Sequence, residues 1–339
     1  MKGSDYLTPW RFRRFLVAGI AVWGLVAVAC LFFGQAGIAP GRVLQVFLGG
    51  ADVSERDIIL GVRLPRVLCG LLVGGGLAIT GAVFQALLRN PLATPHTLGV
   101  SAGGALGAAL AIFLGWSGPA LGPVGGLQFF ALVGALVNVT IIYLLARRSR
   151  FFSPLHLLLA GVTLGLVSSA MIMFVQFASD PQKLVQVTRW LMGGLDVAGY
   201  RPLAAALPLA LPTLVLLLAD APALNQIALG EEVASGRGVD VRATQVRCFL
   251  AGSVLTASLV SVAGPIGFVG LIVPHVLRMV FGPDHRLLLF FSLLGGGAFL
   301  TVADTVARVS LPSSELPVGV LTAMLGGPFF LVLLIRKVR

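Results

Sequence analysis

Ten apolar stretches, each near the length needed to cross a lipid bilayer, leave this chain of 339 residues few folds to choose from. A helix needs about 20 mostly apolar residues to span the hydrocarbon. The stretches fall near residues 15–33, 66–88, 97–115, 124–146, 155–177, 203–219, 246–263, 266–281, 287–307 and 318–335. An open sheet could not satisfy its backbone groups in lipid, whereas a helix bonds to itself. The expected fold is therefore all-α: a polytopic membrane protein of about ten transmembrane helices, with 1–339 as one domain. The sixth and eighth stretches are short and interrupted by proline or glycine.

Composition closes off other classes. Hydrophobic residues make up 57% of the chain and charged residues 11%, against roughly 25% charged in soluble domains. The net charge of +11 would suggest nucleic acid in a soluble protein. Here the basic residues never form a run and sit between apolar blocks, so no nucleic-acid partner is expected. Basic residues favour the cytoplasmic side of short loops. With the N-terminus inside, sixteen of the 24 lysines and arginines fall on that side and eight outside, among them Arg63, Arg66 and Arg308. Both termini are then cytoplasmic. Lys2, Arg11, Arg13 and Arg14 before an apolar run imitate a secretory signal, with "AVAC" (27–30) as a faint cleavage site. The run continues through Phe33 and reads as a first span.

Cys30, Cys69 and Cys248 are odd in number, lie in apolar stretches and form no CxxC pair, which makes them small core residues. The 43 glycines concentrate inside spans, as in "GLLVGGGLAITG" (70–81) and "GVSAGGALGAAL" (99–110). Small residues let membrane helices approach closely. Cavity lining is the alternative, chiefly for "GVTLGLVSSAM" (161–171), where Thr163, Ser168 and Ser169 add hydroxyls. A short echo, "PHTLG" (95–99) and "PHVLR" (274–278), together with opposite starting sides for spans two to five and seven to ten, suggests an inverted repeat.

Chemistry is sparse. His96, His156, His275 and His285 are scattered without ligand spacing, so neither a metal site nor a cofactor is expected. No G-x-x-x-x-G-K-[ST] loop exists, and none of Lys2, Lys183 and Lys337 follows a glycine. ATP is therefore not bound here through such a loop, and the chain is expected to be no enzyme. Ion-driven transporters keep ionisable groups at membrane depth. Only Asp304 lies clearly inside a span, four residues before Arg308, where an i,i+4 ion pair can neutralise it. An ion-driven secondary transporter of a small solute is thus the second choice. "NQIALGEEVASGRGVDVR" (225–242) stands apart, with two adjacent glutamates and a glycine-broken turn. It reads as a short helix and turn along the membrane surface, either a docking face or a solvated loop.

Eight ordered blocks then carry a resemblance: "RLPRVLCGLLVGGGLAITGAVFQALLRNPLATPHTLGVSAGGALG" (63–107), "LLLAGVTLG" (157–165), "RWLMGGL" (189–195), "ALGEEVA" (228–234), "GPIGFVGLIVPHVLR" (264–278), "DHRLLL" (284–289), "ADTVAR" (303–308) and "ELPVGVLTAMLGGPFF" (315–330). Over residues 15–336 the chain resembles FecCD/BtuC-type permease subunits of ATP-binding-cassette importers for iron-siderophore chelates, haem and cobalamin. The resemblance implies a bacterial inner-membrane permease that pairs with a second copy, usually as a homodimer. Two ATPase subunits would lie below it, and a periplasmic or lipid-anchored substrate-binding protein above. It implies coupling to the ATPase through 225–242, with Leu229, Gly230, Glu231, Glu232, Ala234 and Gly238 matching the family pattern and Arg237 departing from its usual leucine. Arg63, Arg66 and Arg308 match arginines that dock the binding protein. The path would be lined at Gly161, Thr163, Gly165, Ser168 and Ser169. A gate would lie at Ser153, Pro154 and Leu155, of which Pro154 and Leu155 replace hydroxyl residues common in relatives.

Overall fold

All ten apolar stretches fold as helices. A computed structural model describes residues 9–50, 52–116, 123–148, 154–197, 199–311 and 314–338. In order these hold α1 (Pro9–Phe32), α2 (Pro40–Leu48), α3 (Val53–Ile58), a π-helical turn (Ile59–Arg63), α4 (Leu64–Leu87), α5 (Val100–Phe113), α6 (Gly126–Arg148), α7 (Pro154–Ala178), α8 (Pro181–Leu191), α9 (Arg201–Ala219), α10 (Ala221–Leu229), α11 (Glu231–Gly236), α12 (Val241–Ala263), α13 (Val269–Phe281), α14 (His285–Ser310) and α15 (Val318–Val338). Seven helical stretches are long and apolar enough to cross a membrane, the second running continuously over Val53–Leu87. The apolar helices α5 and α13 and the apolar part of α15 are shorter.

Two spans differ from expectation for a local reason. The third stretch, 97–115, is helical only over 100–113. Pro91 and Pro95 cannot continue α4, and 90–99 folds as turns instead. Asn90 Oδ1 accepts from Leu92 N at 2.9 Å, and Thr97 Oγ1 donates to Thr94 O at 2.8 Å. The eighth, α13, is likewise short. Both helices start from a residue in the left-handed region, Gly99 (φ 72°) and Phe268 (φ 67°). They occupy matching places in the two halves between which the sequence suggests an inverted repeat; the repeat as a whole stays a proposal.

The centre of the bundle is α4, apolar on every side and buried from Pro65 to Leu87 apart from Leu68 and Leu72. Such a helix needs neighbours all round it. Gly74 meets the backbone carbonyl of Gly296 on α14, and Gly81 meets that of Gly270 on α13. The same device joins α5 to α6, where Gly103 and Gly107 lie against the carbonyls of Gly134 and Phe130. Most of the glycine runs are thus packing surfaces, unlike the open faces at the periphery of the bundle. That periphery includes α7, which exposes Leu155, Leu159, Val162, Leu166, Met173 and Phe177, and α15, which exposes Met324, Leu325, Leu331 and Ile335.

Candidate functional site

Three places bring together the residues singled out in the sequence. The first lies at one end of α4. The π-helical turn just before it widens the backbone, and its carbonyls are taken up from outside: Gly199 N donates to Gly61 O at 3.0 Å and Tyr200 Oη to Leu60 O at 2.9 Å. Such π turns often mark functional positions. Arg63 closes that turn and Arg66 lies in the first turn of α4, and the structure buries both, with Arg308, to 7% exposure or less. Arg66 donates from Nε and Nη2 to the two carboxylate oxygens of Asp304 at 2.9 Å each, and from Nη1 to Glu315 at 2.6 Å. Arg308 Nε stands 3.3 Å from the same Asp304, and Asp196 Oδ1 is 3.6 Å from Arg66. Arg63 instead donates Nη1 to Leu31 O at 2.9 Å, its Nη2 having no partner among the described residues. The i,i+4 pair of Asp304 with Arg308 is present, but the principal partner of Asp304 is Arg66, which sequence spacing could not supply.

The second place is a groove of about 970 Å3 between the 92–97 turns, α5, α7, α13 and α15. Ser169 lines it, with Thr94, Thr97 and Ser101 opposite. Its hydroxyl donates to Gly165 O at 2.9 Å. Thr163 is exposed on α7, and a Cβ added to Gly165 would meet nothing within 4 Å. Gly161 and Ser168 turn inward. Gly161 packs on Leu98, and Ser168 Oγ accepts from Asn138 Nδ2 at 3.3 Å. His96 also lines the groove with its side chain exposed there, and the protein beside it, by taking away part of its hydration, lowers its imidazole pKa from the ordinary histidine value. Of the expected gate, Ser153 lies outside the described residues, Pro154 opens α7, and Leu155 is exposed.

The third place is the α10–α11 elbow at the opposite end of the bundle from Arg66. Gly230 joins the two helices at φ 133° and ψ 146°, a conformation open to glycine. Gly238, at φ 83°, closes α11. Leu229 (64% exposed) and Val233 (42%) stand open, Glu232 is exposed beside them, and Ala234 is buried. Leu229 and Val233 thus form an apolar i,i+4 pair on the outer surface with charge beside it.

That elbow is tied to three spans. Glu231 accepts from Gln245 on α12 at 3.2 Å and lies 3.4 Å from Arg89, beyond the end of α4. Asp220 holds Arg247 of α12 through two oxygens, at 2.5 and 2.7 Å. Asn225 donates to Asp284 at 2.7 Å and accepts from the backbone N–H of His285 at 2.8 Å, gripping the start of α14. Asn225 and Gln245 escaped sequence reasoning because uncharged amides carry no spacing signal, although Asn225 opens the quoted stretch. Among the described residues no group of three or more His, Cys, Asp or Glu side chains could hold a metal ion.

Residues 22–336 match the FecCD transport family. The chain is 43% identical over 280 residues to the hemin transport system permease of Yersinia pestis, covering 83% of this chain and 84% of that protein. It is 45% identical over 291 residues to the cobalamin import system permease of Halobacterium salinarum, covering 86% and 77%. A solved structure described as a metal-chelate type ABC transporter in an inward-facing conformation superposes with a TM-score of 0.83 at 34% identity, over 96% of this chain and 99% of that one.

Proposed function

The chain belongs to the FecCD transport family, and from that premise we propose that two copies form the path by which an iron chelate (siderophore or haem) or cobalamin enters a bacterial cell across its inner membrane. It is a permease subunit of an ATP-binding-cassette importer; ATP is hydrolysed on two separate ATPase subunits, and a periplasmic or lipid-anchored binding protein delivers the cargo. Both termini lie in the cytoplasm, on the side of the α10–α11 elbow, where Arg89, Arg237, Arg242, Arg247 and Arg286 also sit.

The single observation that carries this proposal is the elbow's construction. Leu229, Val233 and Glu232 offer an exposed face, while Asp220, Asn225 and Glu231 bind the same element to α12, to α14 and to Arg89. A push on that face reaches three spans at once. Leu229, Gly230, Glu231, Glu232, Ala234 and Gly238 are thus the ATPase-coupling residues. A ligand-driven change requires contacts that differ between two states, and ATP-driven movement of the partner supplies them here.

Along the path, Thr163, Gly165 and Ser169 face the cargo, while Gly161 and Ser168 seat α7 on its neighbours; Ser153, Pro154 and Leu155 form the cytoplasmic gate. Arg63, Arg66 and Arg308 serve docking of the binding protein. Among them Arg63 has no carboxylate partner among the described residues, but at 3% exposure it must turn outward to meet an acidic surface. The rival, an ion-driven transporter, would need Asp304 free to cycle an ion, and Arg66 and Arg308 occupy it.

Substrate-stimulated ATP hydrolysis in proteoliposomes, with the cognate ATPase and binding protein, tests the proposal on Glu231→Arg plus Glu232→Arg. Loss of assembly or of coupled hydrolysis is expected. Unchanged coupled uptake would reduce 225–242 to a solvated loop.

A further inference from the structure

Arg66 divides its guanidinium between two kinds of carboxylate. One edge, Nε with Nη2, is closed by the fork to Asp304, whose side chain is 3% exposed. The other edge, Nη1 with Nη2, is turned to Glu315 at 2.6 Å and Asp196 at 3.6 Å, whose side chains are 34% and 58% exposed. A guanidinium meets a carboxylate best through two N–H groups along one edge. The edge open to a carboxylate from outside the chain is the second, and Glu315 already stands on it.

Glu315 also holds the segment that leads into α15. Among the described residues it makes the one side-chain hydrogen bond of 314–317. Just beyond, Gly319 N donates to Gly193 O at 3.1 Å, and Gly319 lies so near Met192 O that a methyl group would not fit. Met192, Gly319 and Val320 line the groove, so this seam closes one end of it. The 192–194 side of the seam is held independently, since Gly194 N donates to Ala263 O at 2.9 Å and Gly193 rests on Pro265 O. Exchange of one carboxylate for another on Arg66 keeps the buried guanidinium paired, which avoids the cost of an uncompensated charge. The displaced Glu315, already a third exposed, passes into water.

Resting on the docking role proposed for Arg66, we infer that Glu315 is a positioning residue, an internal stand-in for a carboxylate of the binding protein. On docking, that carboxylate takes its place on Arg66, and the freed 314–317 segment loosens the start of α15 from 192–193 at the end of the groove. Docking and opening of the groove are then one exchange of ion pairs.

Two readouts test this on the permease–ATPase complex in lipid nanodiscs: affinity for the cognate binding protein, and the rate at which a water-soluble maleimide labels a Val320→Cys reporter. The native thiols Cys30, Cys69 and Cys248 are buried. Glu315→Gln removes the competitor, so it is expected to hold the binding protein about fivefold more tightly or better, and to label faster than wild type before any binding protein is added. A merely structural Glu315 would weaken docking when lost. Glu315→Asp should return both readouts toward wild type. Asp57→Asn removes an exposed carboxylate of α3 and should change affinity by less than about twofold. With Glu315 intact, adding the binding protein should itself speed labelling, a comparison that stands even where Glu315→Gln fails to assemble. Equal or weaker binding by Glu315→Gln, a matching gain from Asp57→Asn, or labelling indifferent to the binding protein overturns this inference alone. An assembled wild-type complex that takes up no binding protein overturns the docking role of Arg66 and this inference with it.

Discussion

Arg66 and Asp304 lie 238 positions apart and meet through two parallel hydrogen bonds of 2.9 Å, a fork that joins α4 to α14. Both side chains are less than a tenth exposed. Breaking a buried pair leaves an uncompensated charge and costs about 3–5 kcal/mol. Asp304→Ala is expected to lose stability on that scale, because Arg66 would keep only Glu315 and the more distant, exposed Asp196 while Arg308 would lose its carboxylate. Asp304→Asn, which retains an acceptor, should fall between it and the wild type. Thermal unfolding of the detergent-solubilised protein reads the order, and an alanine variant as stable as wild type would show the fork to be idle.

A second prediction concerns the crossing of the same two helices. A methyl group on Gly74 would run into Gly296 O, and one on Gly296 into Gly74 O. Backbone atoms cannot swing aside as a side chain tip can. Gly74→Ala and Gly296→Ala should each cost about 1–3 kcal/mol by overpacking. Gly24 on α1 has nothing within 4 Å of a built Cβ, so Gly24→Ala should stay within about 0.5 kcal/mol of wild type. Equal loss at Gly24 and Gly74 would mean that helix approach is not what these glycines provide.

How much of this was legible in the sequence follows from the range of each interaction. Apolar length and glycine content are local properties, so the spans were readable, and the packing role of the glycine runs with them. The short α5 was overextended because hydropathy continues through 97–99 while the backbone does not. Asp304 shows the limit clearly. Its partner four residues away could be counted off, but its stronger partner, on a helix 238 positions earlier, is fixed only by tertiary packing. The same holds for Ser168 and Ser169, adjacent hydroxyls of which one is buried against Asn138 and the other faces the groove. Which side of a helix meets lipid, protein or cavity is decided by its neighbours.

Asn225 makes a third prediction. It bridges α10 to the start of α14 through its side-chain donor and acceptor, so Asn225→Ala removes that link and leaves the exposed Leu229–Val233 face untouched. The ATPase subunits should still bind, while uptake per ATP hydrolysed falls about fivefold or more, the size of a typical coupling energy. Copurification separates this from failure to assemble, and unchanged stoichiometry would remove Asn225 from the transmission route.

Gly230 sets the angle between α10 and α11 by its backbone alone. A Cβ there would find only Val233 at 3.8 Å, so Gly230→Ala introduces no clash, only a backbone conformation costing about 1–3 kcal/mol. The elbow should relax toward another angle. Copurification with the ATPase should weaken while unfolding of the bundle stays near wild type; a large global loss of stability would contradict a purely local role.

His96 makes the last prediction, one of pH dependence. The imidazole is exposed on the groove, and the protein beside it takes away part of its hydration and so lowers its folded pKa below the value of about 6.5 usual for an unfolded chain. At pH values between the two, the unfolded state binds more protons than the folded state, so stability rises with pH across that window. The full contribution is present above about pH 6.5 and is lost as the pH falls toward the folded pKa. His96→Gln cannot take up the proton, so it should flatten this part of the profile, leaving the variant relatively more stable than wild type at the acidic end. Paired thermal unfolding of the two proteins between pH 5 and 8 measures the difference, and parallel profiles would place the imidazole in full contact with water.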